Sequence, residues 1–243
     1  MNLAIDIGNT YVKAGWFENH QLVDIQPQTD LEKLSSQISQ NRPEQVIASS
    51  VSAHTQQLRK IVPDSVRFVV LDSSTPLPFR NSYHTPTTLG TDRIAAVAGA
   101  HKQFPHRNLL VIDAGTCVTY DLLTDEGYYL GGSISPGLRM RWQAMHPFTA
   151  RLPLVSVESP EESRNLSYIG QSTEEGLKSG GLIGMAAEID QIIRRYADKF
   201  AALQVVTCGG DIEYLQPWLF SDHTYVPELV LIGLNSIVQY EGL

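Results

Sequence analysis

The chain has 243 residues, enough for one large domain or two small ones. Hydrophobic residues make up 42% and charged residues 18%, a globular composition that excludes disordered, collagen-like and coiled-coil chains. The formal net charge of −8 argues against general electrostatic binding of nucleic acid or of an anionic membrane, so we expect neither partner.

Two cysteines, Cys117 and Cys208, are too few for a disulfide scaffold and lack the paired spacing of a zinc site. The first residues do not have the pattern of a signal peptide, because Asp6 interrupts the first hydrophobic stretch. The other apolar runs are shorter than a membrane span. We therefore expect a cytoplasmic protein.

The chain opens with a predicted β-hairpin. Residues 3–10, LAIDIGNT, are typical of a short apolar strand that meets a turn, and residues 11–17, YVKAGWF, resume an extended pattern. A helix is predicted over residues 30–40, followed by strands at 45–50 and 67–71. Residues 72–88 contain three prolines and many hydroxyl side chains, which predicts an irregular loop.

An alanine-rich helix is predicted from Thr91 to Phe104, before Pro105. A second hairpin follows: residues 109–116, LLVIDAGT, repeat the strand and turn, and residues 117–123, CVTYDLL, form the return strand. The repetition of strand, Asp-x-Gly turn and strand predicts two similar α/β domains, which we place at residues 1–105 and 106–243. The C-terminal helix of the second could pack back on the first.

Further helices and one strand are predicted after the second hairpin. GGSISPG at 131–137 precedes a helical stretch to Met145, and the longest helix is predicted over 173–200, as one helix or two. Its glycines at 176, 180, 181 and 184 would admit a close neighbour, either within the chain or in a dimer. A strand at 203–208, a tight turn at 209–211 and a helix at 229–240 complete the pattern.

Three common nucleotide and metal motifs are absent, namely the P-loop, the dinucleotide-binding fingerprint and the His-Glu-x-x-His helix. The two Asp-x-Gly turns are the remaining candidates for a phosphate-binding site. Turns rich in Gly, Asn and Thr can present N–H groups and hydroxyls to phosphate, while the adjacent carboxylate holds hydrated Mg²⁺. The residues that would act in this way are Asp6, Gly8, Asn9, Thr10 and Lys13 in the first turn and Asp113, Gly115, Thr116 and Thr119 in the second.

Each turn alone could be ordinary hairpin chemistry, since Gly and Asn favour turns for backbone reasons. Two copies, each with an Asp at the end of an apolar strand where a charge is costly, favour the functional interpretation.

Three further segments have both a structural and a functional interpretation. In Gly90-Thr91-Asp92-Arg93, Thr91 or Asp92 could cap the helix, or Asp92 could be a general base with Arg93 orienting the acceptor. Ser172 and Glu175 have capping-box spacing, which leaves Thr173 unexplained. Gly209-Gly210 could be a tight turn or could admit a base or ribose close to the backbone.

In this order, the motifs DIGNT at 6–10, GTDR at 90–93, DAGT at 113–116, GGSISPG at 131–137 and the glycines at 209–210 resemble those of the type III pantothenate kinases. The closing segment VPELVLIGL, residues 226–234, is similar to that family's C-terminal pattern. The resemblance spans nearly the whole chain and implies two ribonuclease-H-like domains of the actin-like ATPase fold, with ATP between them. Cys208 departs from the Thr or Ser of many relatives.

The resemblance implies transfer of the γ-phosphoryl group of ATP to pantothenate, giving 4′-phosphopantothenate, the first step of coenzyme A biosynthesis. It implies that Asp92 is the catalytic base. The implied ATP-binding residues are Asp6, Ile7, Gly8, Asn9, Thr10, Tyr11, Val12, Lys13 and Thr116, with Gly209 and Gly210 near adenosine. The implied pantothenate-binding residues are Tyr83, Gly90, Thr91, Asp92, Arg93 and Thr173.

The resemblance also implies K⁺ or NH₄⁺ at Asp113, Mg²⁺ with ATP, and a homodimer. Two alternatives remain open at this point: another small-molecule kinase or phosphatase of the same fold, because fold does not fix substrate, or a non-catalytic regulator. The GTDR segment favours pantothenate, and the intact Asp92 with both turns favours an enzyme.

Overall fold

The computed structural model describes residues 1–8, 12–50 and 55–240. The chain divides into two compact units, and each is described by itself. Unit 1 comprises residues 1–106, 123–130 and 228–243, and unit 2 comprises residues 107–122 and 131–227. The predicted domain division at residues 105 and 106 stays a prediction. Among the described residues, no helix is both long and apolar enough to cross a membrane.

The described part of unit 1 contains a five-stranded sheet, a short additional strand and four α-helices. The strands are β1 (Asn2–Ile7), β2 (Val12–Glu18), β3 (Gln21–Thr29), β4 (Gln45–Ser50), β5 (Arg67–Val70) and the two-residue β6 (Arg80–Asn81). The helices are α1 (Leu31–Asn41), α2 (Thr55–Ile61), α3 (Thr91–Gln103) and the C-terminal α8 (Leu229–Val238).

The central strand of unit 1 is β1, in the strand order β3-β2-β1-β4-β5. It pairs antiparallel with β2 and parallel with β4. Because β1 has a neighbour on each side and layers on both faces, almost every one of its residues is buried, which is why its sequence is a continuous apolar run rather than an alternating one. Leu3, Ile5 and Ile7 enter a hydrophobic core with Leu34 and Ile38 of α1.

Unit 2 is built on the strands β7 (Leu109–Ala114), β8 (Cys117–Leu123), β9 (Tyr128–Pro136), β10 (Gln204–Cys208) and β11 (Thr224–Tyr225). Its helices are α4 (Leu138–Met145), α5 (Pro160–Arg164), α6 (Thr173–Ala197) and α7 (Ile212–Leu215). The strand order is β11-β10-β7-β8-β9, and the first two residues of β9, which lie in unit 1, pair with β6.

The two sheets repeat one topology. With β7 taken as the first strand of its unit, the order third-second-first-fourth-fifth describes both sheets, and the first and fourth strands are parallel in each. The predicted internal repeat and the α/β class are therefore confirmed, and the repeat extends well beyond the two Asp-x-Gly turns that indicated it.

Four of the described strands were not predicted, namely β3, β6, β9 and β11, and neither were the short helices α2, α5 and α7. One predicted helix differs from its prediction. The third strand of each sheet, β3 and β9, was missed: β3 is a polar edge strand with Pro27 inside it, and edge strands tolerate both features. The segment GGSISP forms the end of β9. The long helix α6 is continuous over 25 residues and ends at Ala197.

Helix α8 packs closely on α3 in unit 1. A Cβ atom on Gly233 would lie 1.7 Å from the carbonyl oxygen of Ala95, and one on Gly99 would lie 2.2 Å from that of Leu229. Glycine at both positions thus lets the two backbones approach to contact. A buried hydrogen bond of 3.1 Å from the Asn2 side chain to the Asn235 side chain joins α8 to β1. The helices α3 and α8 are thus packed on each other, and α8 is also held to the sheet.

Candidate functional site

Asp6 is the penultimate residue of β1, and it has a polar neighbour on each adjacent strand. Its registered neighbours are Lys13 on β2 and Ser49 on β4. The Ser49 hydroxyl donates a hydrogen bond of 2.5 Å to the Asp6 carboxylate. Because paired residues of adjacent strands share a face of the sheet, Lys13, Asp6 and Ser49 form a polar row across β2, β1 and β4.

Burial raises the pKa of Asp6 above its ordinary value, and this effect is larger than the lowering by the Ser49 hydrogen bond. The nearby negative charge of Asp92 also raises the pKa of Asp6, whereas the Lys13 ammonium lowers it. The structure thus brings the carboxylate of the first turn close to the carboxylate of the GTDR segment, although 86 positions separate them in the sequence.

The rest of the first predicted turn is only partly described. Ile7 is buried in the core, Gly8 is exposed, and Val12 begins β2. Asn9, Thr10 and Tyr11 lie outside the described residues. Lys13 is half-buried, and its ammonium forms an ion pair of 2.6 Å with Glu228, the residue that precedes α8.

The GTDR segment begins α3. Gly90 is the N-cap, Thr91 is the first helical residue, and the exposed Asp92 accepts a hydrogen bond of 2.9 Å from the backbone N–H of Arg93. A Cβ atom on Gly90 would lie 2.4 Å from the Asp92 carboxylate, so a larger residue there would require the Asp92 side chain to shift. Because the N-cap is Gly90 and no side chain caps the helix there, the N-cap interpretation of Thr91 and Asp92 is wrong. Asp92 is instead a residue of the first helical turn, and its second carboxylate oxygen is not used by the Arg93 N–H.

Two of the predicted substrate residues meet in unit 1. Arg93 is almost fully buried, and its guanidinium lies 5.7 Å from the centroid of the Tyr83 ring. Tyr83 also lies against Tyr129, with ring centroids 6.2 Å apart, and its backbone N–H donates to the Asn81 side chain. These contacts hold Tyr83 of the proline-containing loop beside the start of α3.

In unit 2, the second Asp-x-Gly turn is closed by backbone contacts. Gly115 donates its N–H to the carbonyl of Cys117, and Gly137 donates to that of Thr116. A Cβ atom on Gly137 would lie 2.0 Å from the Gly115 carbonyl oxygen. The last residue of the GGSISPG motif therefore supports this turn directly, and Thr116 remains exposed.

The predicted adenosine glycines lie against the same turn. Gly209 has a φ of +91°, and a Cβ atom there would lie 2.5 Å from the Asp113 carboxylate. Asp211 donates its backbone N–H to the Ala114 carbonyl, and its carboxylate accepts the N–H of Leu138 at the start of α4. Burial raises the pKa of Asp211 to about 6. Asp113 and Gly209 are thus close neighbours, whereas a Cβ atom on Gly210 would meet nothing within 4 Å.

Thr173 is the exposed first residue of α6 in unit 2. Ser172 caps this helix by accepting the N–H of Glu175 at 3.2 Å, and the Glu175 carboxylate accepts the N–H of Gln171. The predicted capping interaction of Ser172 is confirmed, and it does not involve Thr173.

Ser49, Asp211 and Glu228 were not identified from the sequence. Ser49 and Glu228 reach the first turn only through strand register and helix packing. Asp211 follows the two glycines directly, so its position beside a recognised motif was the available signal. Within the described residues, no cluster of three His, Cys, Asp or Glu side chains could hold a metal ion.

Comparisons with known proteins identify the family. The type III pantothenate kinase family profile matches residues 2–195. Among curated relatives, the type III pantothenate kinase of Christiangramia forsetii is 41% identical over 99% of this chain and 98% of its own length. That of Porphyromonas gingivalis strain W83 is 39% identical, with 98% of each chain covered.

Solved structures show the same fold at low identity. A ROK hexokinase from Thermus thermophilus has a TM-score of 0.53 at 13% identity, covering 97% of both chains. A Baf family protein from Campylobacter jejuni has a TM-score of 0.61 at 21% identity, covering 99% of this chain and 98% of its own. The repeated sheet topology is therefore that of the ribonuclease-H-like, actin-like sugar kinases, and the chain belongs to the type III pantothenate kinase family.

Proposed function

We propose that Asp92 is the general base with which this chain, as a type III pantothenate kinase, transfers the γ-phosphoryl group of ATP to pantothenate in coenzyme A biosynthesis. Phosphoryl transfer requires little covalent chemistry from a protein, so catalysis consists of positioning, charge stabilisation and removal of the hydroxyl proton. The observation that carries the proposal is the exposed Asp92 carboxylate, fixed at the start of α3 and close to Asp6.

The hydrogen bond from the Arg93 N–H occupies one Asp92 oxygen and leaves the other for the acceptor hydroxyl. In the proposed step, the terminal hydroxyl oxygen of pantothenate forms a bond to the γ-phosphorus as the bond from that phosphorus to the β–γ bridging oxygen breaks. The hydroxyl proton passes to Asp92, and the products are 4′-phosphopantothenate and ADP. A base positioned in this way typically contributes about 10² to 10⁴ in rate.

The ATP phosphates are assigned to the first turn, residues 6–13, and to Thr116 of the second. The donor set fits Mg²⁺ bound with ATP: a buried carboxylate whose pKa is raised, as at Asp6, is stabilised in its ionised form by an adjacent cation. Mg²⁺ commonly uses one or two carboxylates together with phosphates and water, which agrees with the lack of a larger acidic cluster among the described residues. When bound, Mg²⁺ would neutralise charge on the transferring phosphoryl group.

Pantothenate is assigned to Tyr83, Gly90, Thr91, Arg93 and Thr173. The substrate carries a carboxylate, and a guanidinium is the side chain best suited to bind one. The Tyr83 ring and the buried stem of Arg93 restrict that guanidinium to few conformations, so less entropy is lost when the acceptor binds.

A monovalent cation, K⁺ or NH₄⁺, is proposed at Asp113, and adenosine at Gly209 and Gly210. The close approach of Gly209 to the Asp113 carboxylate supports a shared nucleotide region in unit 2. A cation there would offset the repulsion between this carboxylate and the phosphates.

We also propose a homodimer formed through α6. Gly176, Gly180 and Gly184 are exposed, and a Cβ atom on any of them would meet nothing within 4 Å, which leaves open space on this face of α6 beyond the close approach of Gly170 to the Gly176 backbone. Tyr168 and Ile169, just before the helix, are also exposed, at 66% and 77%. Small residues at four-residue spacing allow close helix pairing, and exposed apolar side chains favour a partner. A cytoplasmic location accords with this function and stays a prediction.

ADP release coupled to pantothenate tests the proposed function. The assay contains ATP, Mg²⁺ and pantothenate, first with K⁺ and then with Na⁺ in its place, and Asp113→Asn is measured in both. Pantothenate-dependent turnover that K⁺ stimulates in the wild type, but not in Asp113→Asn, supports the substrate and the cation site. Release independent of pantothenate contradicts the acceptor assignment, and equal rates in both salts contradict the cation assignment.

A further inference from the structure

Glu228 contacts the first phosphate turn from the other end of the chain. Its carboxylate lies 2.6 Å from the Lys13 ammonium, and the two side chains are only 19% and 28% exposed. Glu228 immediately precedes α8, and its position is therefore set by that helix rather than by the turn itself.

Helix α8 is a rigid support for this contact. The close backbone approach of Gly233 to Ala95 and the buried hydrogen bond from Asn2 to Asn235 hold the helix to α3 and β1. The side chain of Leu231 in α8 also lies against Gly15 in β2, the strand that carries Lys13. These contacts of α8 with α3, β1 and β2 restrict the movement of Glu228, as expected beside a densely packed interior.

Lys13 interacts with two carboxylates. Asp6 is its registered partner across β1 and β2, and the positive charge of Lys13 lowers the pKa of Asp6. Glu228 forms an ion pair with the same ammonium. Two carboxylates neutralise the positive charge of the Lys13 ammonium, so this lysine is less available to a phosphate than an isolated lysine would be. Its effect on the first turn is therefore exerted through the Asp6 carboxylate.

We propose that Glu228 is a positioning residue of the nucleotide site: it holds the Lys13 ammonium beside Asp6, and the row Ser49–Asp6–Lys13 presents the Asp6 carboxylate to the metal–nucleotide complex. This inference deepens the proposed function and rests on its assignment of ATP to the first turn. Lys13 was predicted among the ATP-binding residues, and here its role is to orient Asp6 rather than to contact phosphate.

The opposite interpretation is that Lys13 binds phosphate directly and that Glu228 competes with the nucleotide for it. The two interpretations predict opposite signs for Glu228→Gln. If Glu228 positions Lys13, the variant loosens Lys13, and the Kd and KM for MgATP rise. If Glu228 competes, its removal frees Lys13, and both constants fall.

The test uses the full-length protein and measures two quantities, the Kd for MgATP by calorimetry without pantothenate and the steady-state KM values for both substrates. We expect Glu228→Gln to raise the Kd and KM for MgATP by about fivefold or more, with the KM for pantothenate unchanged. Glu228→Asp, which keeps the charge on a shorter side chain, should restore part of the affinity. Glu18→Gln, which removes an exposed carboxylate at the end of β2, is the matched control.

Lys13→Met and the double variant with Glu228→Gln complete the cycle. Because Glu228 acts through Lys13, the double variant should bind MgATP no more weakly than Lys13→Met alone. Thermal unfolding of each variant separates loss of fold from loss of affinity.

A Kd for Glu228→Gln that equals that of Glu18→Gln, or that falls below the wild-type value, overturns the inference. So does a double variant whose losses add. Failure of the proposed function would show differently: the wild-type protein itself would release no pantothenate-dependent ADP.

Discussion

Ser49 and Asp6 occupy registered positions on the parallel strands β1 and β4, and the Ser49 hydroxyl donates to the Asp6 carboxylate at 2.5 Å. Ser49 is almost fully buried, at 2% exposure. The hydrogen bond lowers the pKa of Asp6 against the opposing effect of burial. A serine at the end of a core strand thus supports the ionised form of the carboxylate assigned to the nucleotide.

Ser49→Ala should weaken this support, because no other hydroxyl is registered with Asp6 on β4. Loss of a hydrogen bond to a charged group costs about 1.5–3 kcal/mol, so kcat/KM for ATP should fall roughly tenfold or more. Steady-state kinetics measure it, with Ser39→Ala as the control, since the Ser39 hydroxyl bonds only a helix carbonyl in the exposed part of α1. Equal kinetics for the two variants would disprove the role of Ser49.

Gly233→Ala should destabilise unit 1. The added Cβ would lie 1.7 Å from the Ala95 carbonyl oxygen and 2.8 Å from the backbone nitrogen of Gly99, so α8 must move away from α3. Overpacking between two backbones costs about 2–3 kcal/mol of unfolding free energy. Urea unfolding measures this loss.

Gly210→Ala is the matched control for Gly233→Ala, because it places the same methyl group where nothing lies within 4 Å. This variant should leave the unfolding free energy within about 0.5 kcal/mol of that of the wild type. If the two alanine variants unfold at the same urea concentration, the close crossing of α3 and α8 is not as described.

Asp211→Asn should change how stability depends on pH. The native state holds the Asp211 proton up to a pH of about 6, whereas an unfolded aspartate releases it at about 4. The native state therefore binds more protons in this interval, and the Asp211 contribution to the unfolding free energy falls as pH rises through it.

An asparagine cannot ionise, and its side-chain oxygen can still accept the Leu138 N–H. The unfolding free energy of Asp211→Asn minus that of the wild type should thus increase between pH 4 and pH 7. Urea unfolding at both pH values measures it, with Asp64→Asn removing an exposed carboxyl as the control. A difference that stays constant or decreases would contradict the buried position of the Asp211 carboxyl.

Gly180→Leu should disrupt the proposed dimer. Four-residue spacing puts Gly176, Gly180 and Gly184 on one exposed face of α6, and a leucine there would separate two closely packed helices. Sedimentation should find twice the chain mass for the wild type and for Gln56→Leu, which adds a leucine to the exposed surface of α2, and the chain mass for Gly180→Leu. A monomeric wild type, or a dimeric Gly180→Leu, would contradict this interface.

Local patterns were sufficient to predict the hairpins, the helices α1, α3 and α8, and the repeat of unit topology. They were sufficient because apolar runs, Asp-x-Gly turns and alanine-rich segments act over a few residues. The third strand of each sheet, β3 and β9, was missed. β3 is an edge strand with polar residues and Pro27, and most residues of β9 are exposed or half-buried, so neither has the apolar pattern of the central strands.

The motif residues of the candidate site were also found from the sequence, but their partners were not. Ser49 reaches Asp6 through the register of a parallel pair, and Glu228 reaches Lys13 through the packing of α8 on α3. Both contacts join positions far apart in the chain, and neither leaves a signal in the local sequence. Sequence reasoning therefore missed the long-range partners of the motif residues, and the roles of those residues stay predictions.

Turnover of Asp92→Asn tests the central claim most directly. Asparagine keeps the shape of the side chain and can still accept the Arg93 N–H, so the fold and the affinity for MgATP should persist while the proton acceptor is lost. Pantothenate-dependent ADP release should then fall by about 10² to 10⁴ with the thermal unfolding temperature unchanged. Turnover within about threefold of the wild type would show that Asp92 serves only the first turn of α3, and that the base lies elsewhere.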